Sequence, residues 1–242
     1  GKLIAGEKTE TTPSDSLARV IYRLEDCSKP VVAAIHGSAL GGGLEVAMGC
    51  HYRVAVESAK VGVPEVKLGL IPGAMGTQRL PRLCGIARAA EMCATGVMVG
   101  AQQALECGIL DKIVDDPLQS EAIRFAQAIV VSGKPPRKTR DIADRLGEPQ
   151  QNQVAIAKLK QQIAKKTRGQ IAPAKAIEAV EAAATLPFLD AVKKEAELFQ
   201  QCLHSEQSKG LIHIFFGERV VAKIHGIGKE TSRRTIDRKS VV

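Results

Sequence analysis

Two glutamates, Glu45 and Glu65, stand 20 positions apart, and each follows closely on an apolar run. Glu45 closes the segment Ala39-Leu40-Gly41-Gly42-Gly43-Leu44-Glu45, and Glu65 closes Val63-Pro64-Glu65. A glutamate alone reads as a solvated surface residue. Two carboxyls at the ends of buried strands read differently if they share one cavity, because repulsion and lost hydration then raise at least one pKa. One group can hold a proton near neutral pH while the other does not, which is what general acid–base chemistry requires. The three glycines let backbone approach a ligand, since no Cβ intervenes. A helix starting there points free N–H groups and the positive end of its dipole into the same space. Read as punctuation, the same run is a tight strand–helix turn packed on glycine.

Other candidate chemistries are weaker. GxGxxG is not met at the glycine run, and no Lys-Ser or Lys-Thr follows Gly43, so a nucleotide phosphate loop is not expected. Gly226-Ile227-Gly228 has no third glycine and no preceding strand, so no NAD site is expected in this chain. His36 is a lone histidine and reads as structural. The six cysteines, Cys27, Cys50, Cys84, Cys93, Cys107 and Cys202, form no CxxC pair and read as buried free thiols of a reducing compartment. No metal site is expected.

The elements that would position the glutamates follow from periodicity. Residues 14–27 read as a helix with Ser14 and Asp15 as cap candidates, ended by Pro30. The run Val31-Val32-Ala33-Ala34-Ile35 reads as a strand buried on both faces. Residues 37–43 read as a turn, 44–50 as a short helix, and 52–56 and 61–63 as strands. Residues 64–76, rich in proline and glycine, read as a structured loop. Helices are expected over 79–83, 86–95, 102–107 and 121–131, with a strand at 109–114. Residues 132–150 are polar and basic and read as an exposed connector; four helices follow, over residues 154–163, 174–185, 189–203 and 211–221.

Composition sets limits. A chain of 242 residues with 45% hydrophobic and 25% charged residues can bury a sizeable core, and with 3% aromatics and no Trp that core must be aliphatic. The net charge of +8 gathers at 134–140 and 219–239, without the interleaved aromatics of a single-strand platform, so solvated basic faces are favoured over a nucleic-acid surface. No apolar run suits a bilayer and the first residues do not form a signal peptide, so the expected location is the cytosol or an organelle interior.

The order and spacing of Lys29-Pro30-Val31-Val32-Ala33-Ala34-Ile35-His36-Gly37, then residues 39–45, then Val63-Pro64-Glu65 and Ile71-Pro72-Gly73, resemble the enoyl-CoA hydratase/isomerase (crotonase) family. The resemblance is clear over residues 16–131. The helical remainder is similar to the segment that follows the crotonase domain in multifunctional fatty-acid β-oxidation enzymes. It implies an α/β fold: a crotonase-like ββα core over 1–131 that is N-terminally incomplete, a connector over 132–150, and an all-helical extension over 151–242 leading toward an absent dehydrogenase domain.

It also implies roles. The Gly42 N–H would donate to a thioester oxygen and Gly73 would help place a water. Glu45 would help deliver the water oxygen to C3, while Glu65 gives a proton to C2 or shuttles one between C2 and C4. No cofactor is implied beyond the coenzyme A of the acyl-CoA substrate. The dehydrogenase domain of a larger enzyme is the implied partner, with oligomers possible, in a bacterial cytoplasm or a peroxisome. Met75 stands where many relatives carry glycine. The family's second oxyanion donor comes from an Ala-Gly-Ala-Asp-type turn, where this chain has Ala5-Gly6-Glu7-Lys8, with the Glu7 N–H as the candidate. A rival of another class is a non-catalytic acyl-CoA-binding or assembly module using the same pocket.

Overall fold

A short parallel ladder sets the frame. In the computed structural model, which describes residues 16–221, strands β1 (Val32–Ile35), β3 (Tyr52–Ala55) and β6 (Lys112–Ile113) form a parallel sheet in the order β1-β3-β6, with Val32 opposite Tyr52 and Ile35 opposite Ala55. A second sheet holds β2 (Ser38–Leu40), β4 (Lys60–Gly62) and β5 (Met98–Gly100), β2 parallel and β5 antiparallel to β4. The three-residue strands β2 and β5 were not foreseen; β2 lies inside the stretch read as a turn. The β1 run is not buried on both faces, since Ala34 is exposed among the described residues.

Helix α1 (Leu17–Glu25) is capped by Ser16, whose Oγ accepts from the Arg19 N–H at 3.3 Å, so the cap falls one residue after the expected candidates. Helix α2 (Gly42–Gly49) follows β2 directly. The stretch 64–76 is not all loop: Pro64–Leu68 winds into a 3-10 helix that stops at left-handed Gly69. Helix α3 (Gly76–Cys84) then begins, followed by α4 (Ile86–Thr95), α5 (Ala101–Glu106) and α6 (Leu118–Val131). Helices α7 (Pro149–Ile163), α8 (Ala172–Thr185), α9 (Phe188–Leu203) and α10 (Glu206–Val221) complete the described chain. None of the helices described is long and apolar enough to cross a membrane.

The later helices share one core with the sheets. A single cluster runs from Ile35, Leu44 and Met48 through Ile71, Leu80 and Met92 to Ile177, Val180, Leu198 and Cys202. Helix α8 lies against α3 and α4. Small residues permit the close approach: Ala89, Ala90 and Cys93 on one side, Ala176, Ala179 and Ala183 on the other, all buried. As the composition required, the buried hydrophobic residues among those described include no Phe or Tyr. The six cysteines are all unpaired, with Cys50, Cys93 and Cys202 buried and the other three half-buried.

The connector is not simply exposed. Thr139 is fully buried in a 3-10 turn. Arg137 pairs with Asp111 at 2.5 Å, and the Arg140 N–H donates to Glu25 at 2.9 Å. Glu25 also pairs with Arg79 at 2.6 Å, both side chains being essentially inaccessible. The Arg79 guanidinium lies 5.6 Å from the Tyr22 ring and 5.2 Å from the Phe188 ring. This buried pair ties α1, α3, the connector and the start of α9 together. Removing one partner strands a charge in a dry site, whereas replacing both with apolar groups does not. Glu25→Ala is expected to destabilise the fold by about 3–5 kcal/mol, and the double change Glu25→Leu/Arg79→Met by markedly less. Urea denaturation of the three proteins checks this order.

Candidate active site

The α2 turn brings the first glutamate into place. Gly41 ends β2 with its N–H on the Gly62 carbonyl at 2.9 Å, then turns with φ +55° and ψ −129°, a conformation open to glycine and closed to other residues. Its carbonyl accepts the Glu45 N–H at 3.0 Å, so Glu45 sits one helical turn above it. The Glu45 carboxyl points inward and the residue is 3% exposed. Its Oε1 accepts the N–H groups of Ala74 at 2.7 Å and Gly76 at 2.9 Å.

Glu65 approaches from the other sheet, on the first turn of the 3-10 helix after β4. A Cβ at Gly41 would lie 3.0 Å from its Oε1, so a side chain there would press on the Glu65 carboxyl, in addition to the backbone conformation that calls for glycine. Glu65 Oε2 is buried without a hydrogen-bond partner. Burial first, and then repulsion from Glu45, push the Glu65 carboxyl up to about 8. Burial also raises Glu45, but the Ala74 and Gly76 N–H groups and the Arg79 charge oppose the rise. The two expected glutamates are thus brought into one electrostatic neighbourhood and are solvated unequally.

The loop that grips Glu45 depends on Met75, the one non-glycine residue at positive φ among those described, at +69°. Glycine takes this conformation freely, whereas a side chain costs about 1–2 kcal/mol. A Cβ at residue 76 would stand 2.6 Å from Glu45 Oε1, which restricts that position to glycine. Gly42 is the first residue of α2, where helix geometry leaves the N–H without an intrahelical carbonyl. Gly73 is exposed, and a Cβ there would come within 2.6 Å of the Phe199 ring, so close packing under α9 by itself requires glycine. His36 is exposed. The turn at residues 5–8 and the Glu7 N–H lie outside the described residues, as do Gly226 and Gly228. Two surface hollows, of about 580 Å³ along α10 and about 400 Å³ lined by Arg82, Asp111, Arg137 and Arg145, include neither glutamate.

Two groups near the site were not singled out from sequence. Arg79 reaches Glu45 electrostatically from α3 while bound to Glu25. Glu195, from α9, is 2% exposed and receives the N–H groups of Met75 and Thr77. A signal for Glu195 existed: Ala191, Glu195, Leu198 and Cys202 recur at helical spacing and are the buried stripe of α9.

The enoyl-CoA hydratase/isomerase family model matches residues 2–155. The chain is 42% identical to the peroxisomal bifunctional enzyme of Homo sapiens over 92% of its own length, and 39% identical to the fatty acid oxidation complex subunit alpha of Shewanella loihica, also over 92%. It spans only 31% and 32% of those two relatives. Among solved structures, carnitinyl-CoA hydratase from Mycobacterium avium aligns with a TM-score of 0.59 at 27% identity, covering 90% of this chain and 71% of that one. With a glycine-led helix, two carboxyls on the helical turns that follow neighbouring strands and a family match over most of its length, this chain belongs to the enoyl-CoA hydratase/isomerase family, with a crotonase-like α/β fold and a helical extension.

Proposed function

We propose that this chain adds water across the 2,3 double bond of enoyl-CoA thioesters, with Δ3–Δ2 isomerisation as a second activity. The reading rests chiefly on the unequal surroundings of the two glutamates: Glu45 is buried and bound by two N–H donors, whereas Glu65 is half-buried with a buried, unpartnered oxygen and is pushed up to about 8. Glu65 is assigned as the acid and Glu45 as the base. The thioester oxygen takes a hydrogen bond from the Gly42 N–H, which stabilises the enolate as charge moves onto that oxygen. Glu45 removes a proton from water as the water oxygen bonds to C3, and Glu65 gives its proton to C2. The Glu45 proton then returns to Glu65 or solvent and resets the pair. In isomerisation Glu65 acts alone and in its ionised form, taking a proton from C2 and returning it to C4 as the double bond moves into conjugation. Water addition involves proton transfer and charge stabilisation only, and the family's hydratases need no added cofactor. Gly73 is assigned to the edge of this site, where its backbone helps place the water. The second oxyanion donor is assigned to the Glu7 N–H.

We further infer that the chain works within a larger β-oxidation enzyme, beside a dehydrogenase partner that supplies the NAD chemistry. The relatives that carry this inference are named as peroxisomal bifunctional enzymes and a bacterial fatty acid oxidation complex subunit. The corresponding locations are a peroxisome or a bacterial cytoplasm.

Glu65→Gln is expected to keep acyl-CoA affinity while losing both hydration and isomerisation by roughly 100-fold or more. Glu45→Gln should impair hydration far more than isomerisation. Crotonyl-CoA hydration and 3-hexenoyl-CoA isomerisation, followed by absorbance, measure both. Equal, small losses would remove the assignment, whereas a wild-type chain that binds acyl-CoA without turnover would leave the rival, a non-catalytic binding module.

The same proton makes a stability prediction. Glu65 has a folded pKa of about 8 against an ordinary 4.5, so between these values the folded chain holds a proton that the unfolded chain has released. Its contribution to stability is complete below pH 4.5 and is lost as the pH rises through 8. The slope in that window is at most about 1.4 kcal/mol per pH unit for one group. Urea titrations at several pH values should therefore show stability falling from acid to pH 8 in the wild type, and falling less steeply in Glu65→Gln.

A further inference from the structure

A third buried carboxyl faces the loop that holds Glu45, and the hydration chemistry makes no use of it. Glu195 reaches in from the middle of α9, on the stripe it shares with Ala191, Leu198 and Cys202. Its Oε1 accepts the Met75 N–H at 2.7 Å; its Oε2 accepts the Thr77 N–H at 3.0 Å and the Thr77 hydroxyl. The intervening and preceding N–H groups, from Gly76 and Ala74, go to Glu45. Four consecutive donors are thus dealt alternately to two carboxyls on opposite sides of one strand of loop. The alternation is produced by the left-handed turn at Met75, which has no glycine to make it free. Helix α9 grips the same loop a second time through Phe199, which lies over Gly73.

We propose that Glu195 is a positioning residue for Glu45: by holding Met75 and Thr77 from one side, it fixes the turn that presents the Ala74 and Gly76 N–H groups to the Glu45 carboxylate. The inference rests on the hydration reading for its catalytic consequence, but its structural part stands on these hydrogen bonds alone. Glu45 must aim one oxygen at a water, and both of its donors come from backbone that Glu195 immobilises. A small misplacement of a catalytic group costs about 100-fold in rate. Glu65 takes no hydrogen bond from this loop, so losing Glu195 should harm the step that needs Glu45 and spare the step that needs Glu65 alone.

The test uses the whole 242-residue chain with four proteins: wild type, Glu195→Ala, Thr77→Val and Leu198→Ala. Thr77→Val keeps both N–H bonds and removes only the hydroxyl, so it decides the question if Glu195→Ala does not fold. Leu198→Ala removes core packing beneath α9 and leaves the Glu195 and Thr77 side chains themselves unchanged. Amide exchange resolved by residue is expected to accelerate about 10-fold or more at Ala74 and Gly76, as well as at Met75 and Thr77, in Glu195→Ala, with a smaller rise in Thr77→Val. Hydration should fall about 10- to 100-fold with KM nearly unchanged, and isomerisation should fall much less. Leu198→Ala should lower the melting temperature yet keep the wild-type ratio of the two activities. Wild-type exchange at Ala74 and Gly76 in the first two variants would overturn the proposal, as would a shifted ratio in Leu198→Ala equal to that in Glu195→Ala. A wild-type chain without turnover would instead refute the functional reading, and the exchange rates would still decide whether Glu195 orders the Glu45 donors.

Discussion

Four backbone N–H groups in succession, from Ala74 to Thr77, are shared between two buried carboxyls, and the local architecture is arranged to permit it. A carboxylate out of water is costly unless donors replace its hydration. Here the donors come from the loop leading into α3, whose first turn also places the positive end of a helix dipole beside them. The arrangement requires a left-handed residue at 75, no side chain at 76, and helices on both sides close enough to deliver Glu45 and Glu195. Helix α2 is fixed by the β2 ladder through Gly41, and α9 is fixed by the aliphatic core through Leu198 and Cys202. The small residues between α4 and α8 serve the same end, because they draw the helical extension down onto the sheets.

How far this was legible from the chain differs from residue to residue. Glu45 and Glu65 could be read because glycine and proline mark sharp turns, and turns after apolar runs fall at strand ends. The aliphatic core followed from the absence of Trp and the scarcity of aromatics. Strands β2 and β5 were not legible, since three residues carry no period and their pairing with β4 is decided across the fold. The 3-10 helix at 64–68 was hidden by Pro64, which reads as a breaker although it suits a first helical turn. Glu195 was overlooked because a charged residue in an amphipathic helix is usually assigned to the wet face.

The basic connector is a related case. Lys138, Arg137 and Arg140 belong to a run that composition alone assigns to solvent, yet they pair with Asp26, Asp111 and Glu25. Arg53 and Arg79 are wholly buried, each anchored on a carboxylate. Part of the positive excess is therefore structural, neutralised where the connector crosses α1 and the β3–β6 sheet. Charge counted along the sequence overstates what the surface offers to an anionic partner, because it does not record which arginines are already engaged.

The two glutamates of the proposed chemistry are the same residue type, so their difference must come entirely from surroundings. Glu45 has two backbone donors and a nearby guanidinium that stabilise its ionised form; Glu65 has burial, a neighbouring negative charge and an oxygen with no donor. The proton shared by such a pair resides mostly on the partner with fewer donors, and the pair titrates as a unit. The partner with fewer donors is Glu65, which lies against Gly41, the residue before the first turn of α2. The two carboxyls are therefore held differently before any substrate arrives. The distinction is made by the loop at 74–77 and not by the carboxyls themselves. A change that loosens this loop would remove the donors that oppose the upward shift of Glu45, even with both glutamates in place.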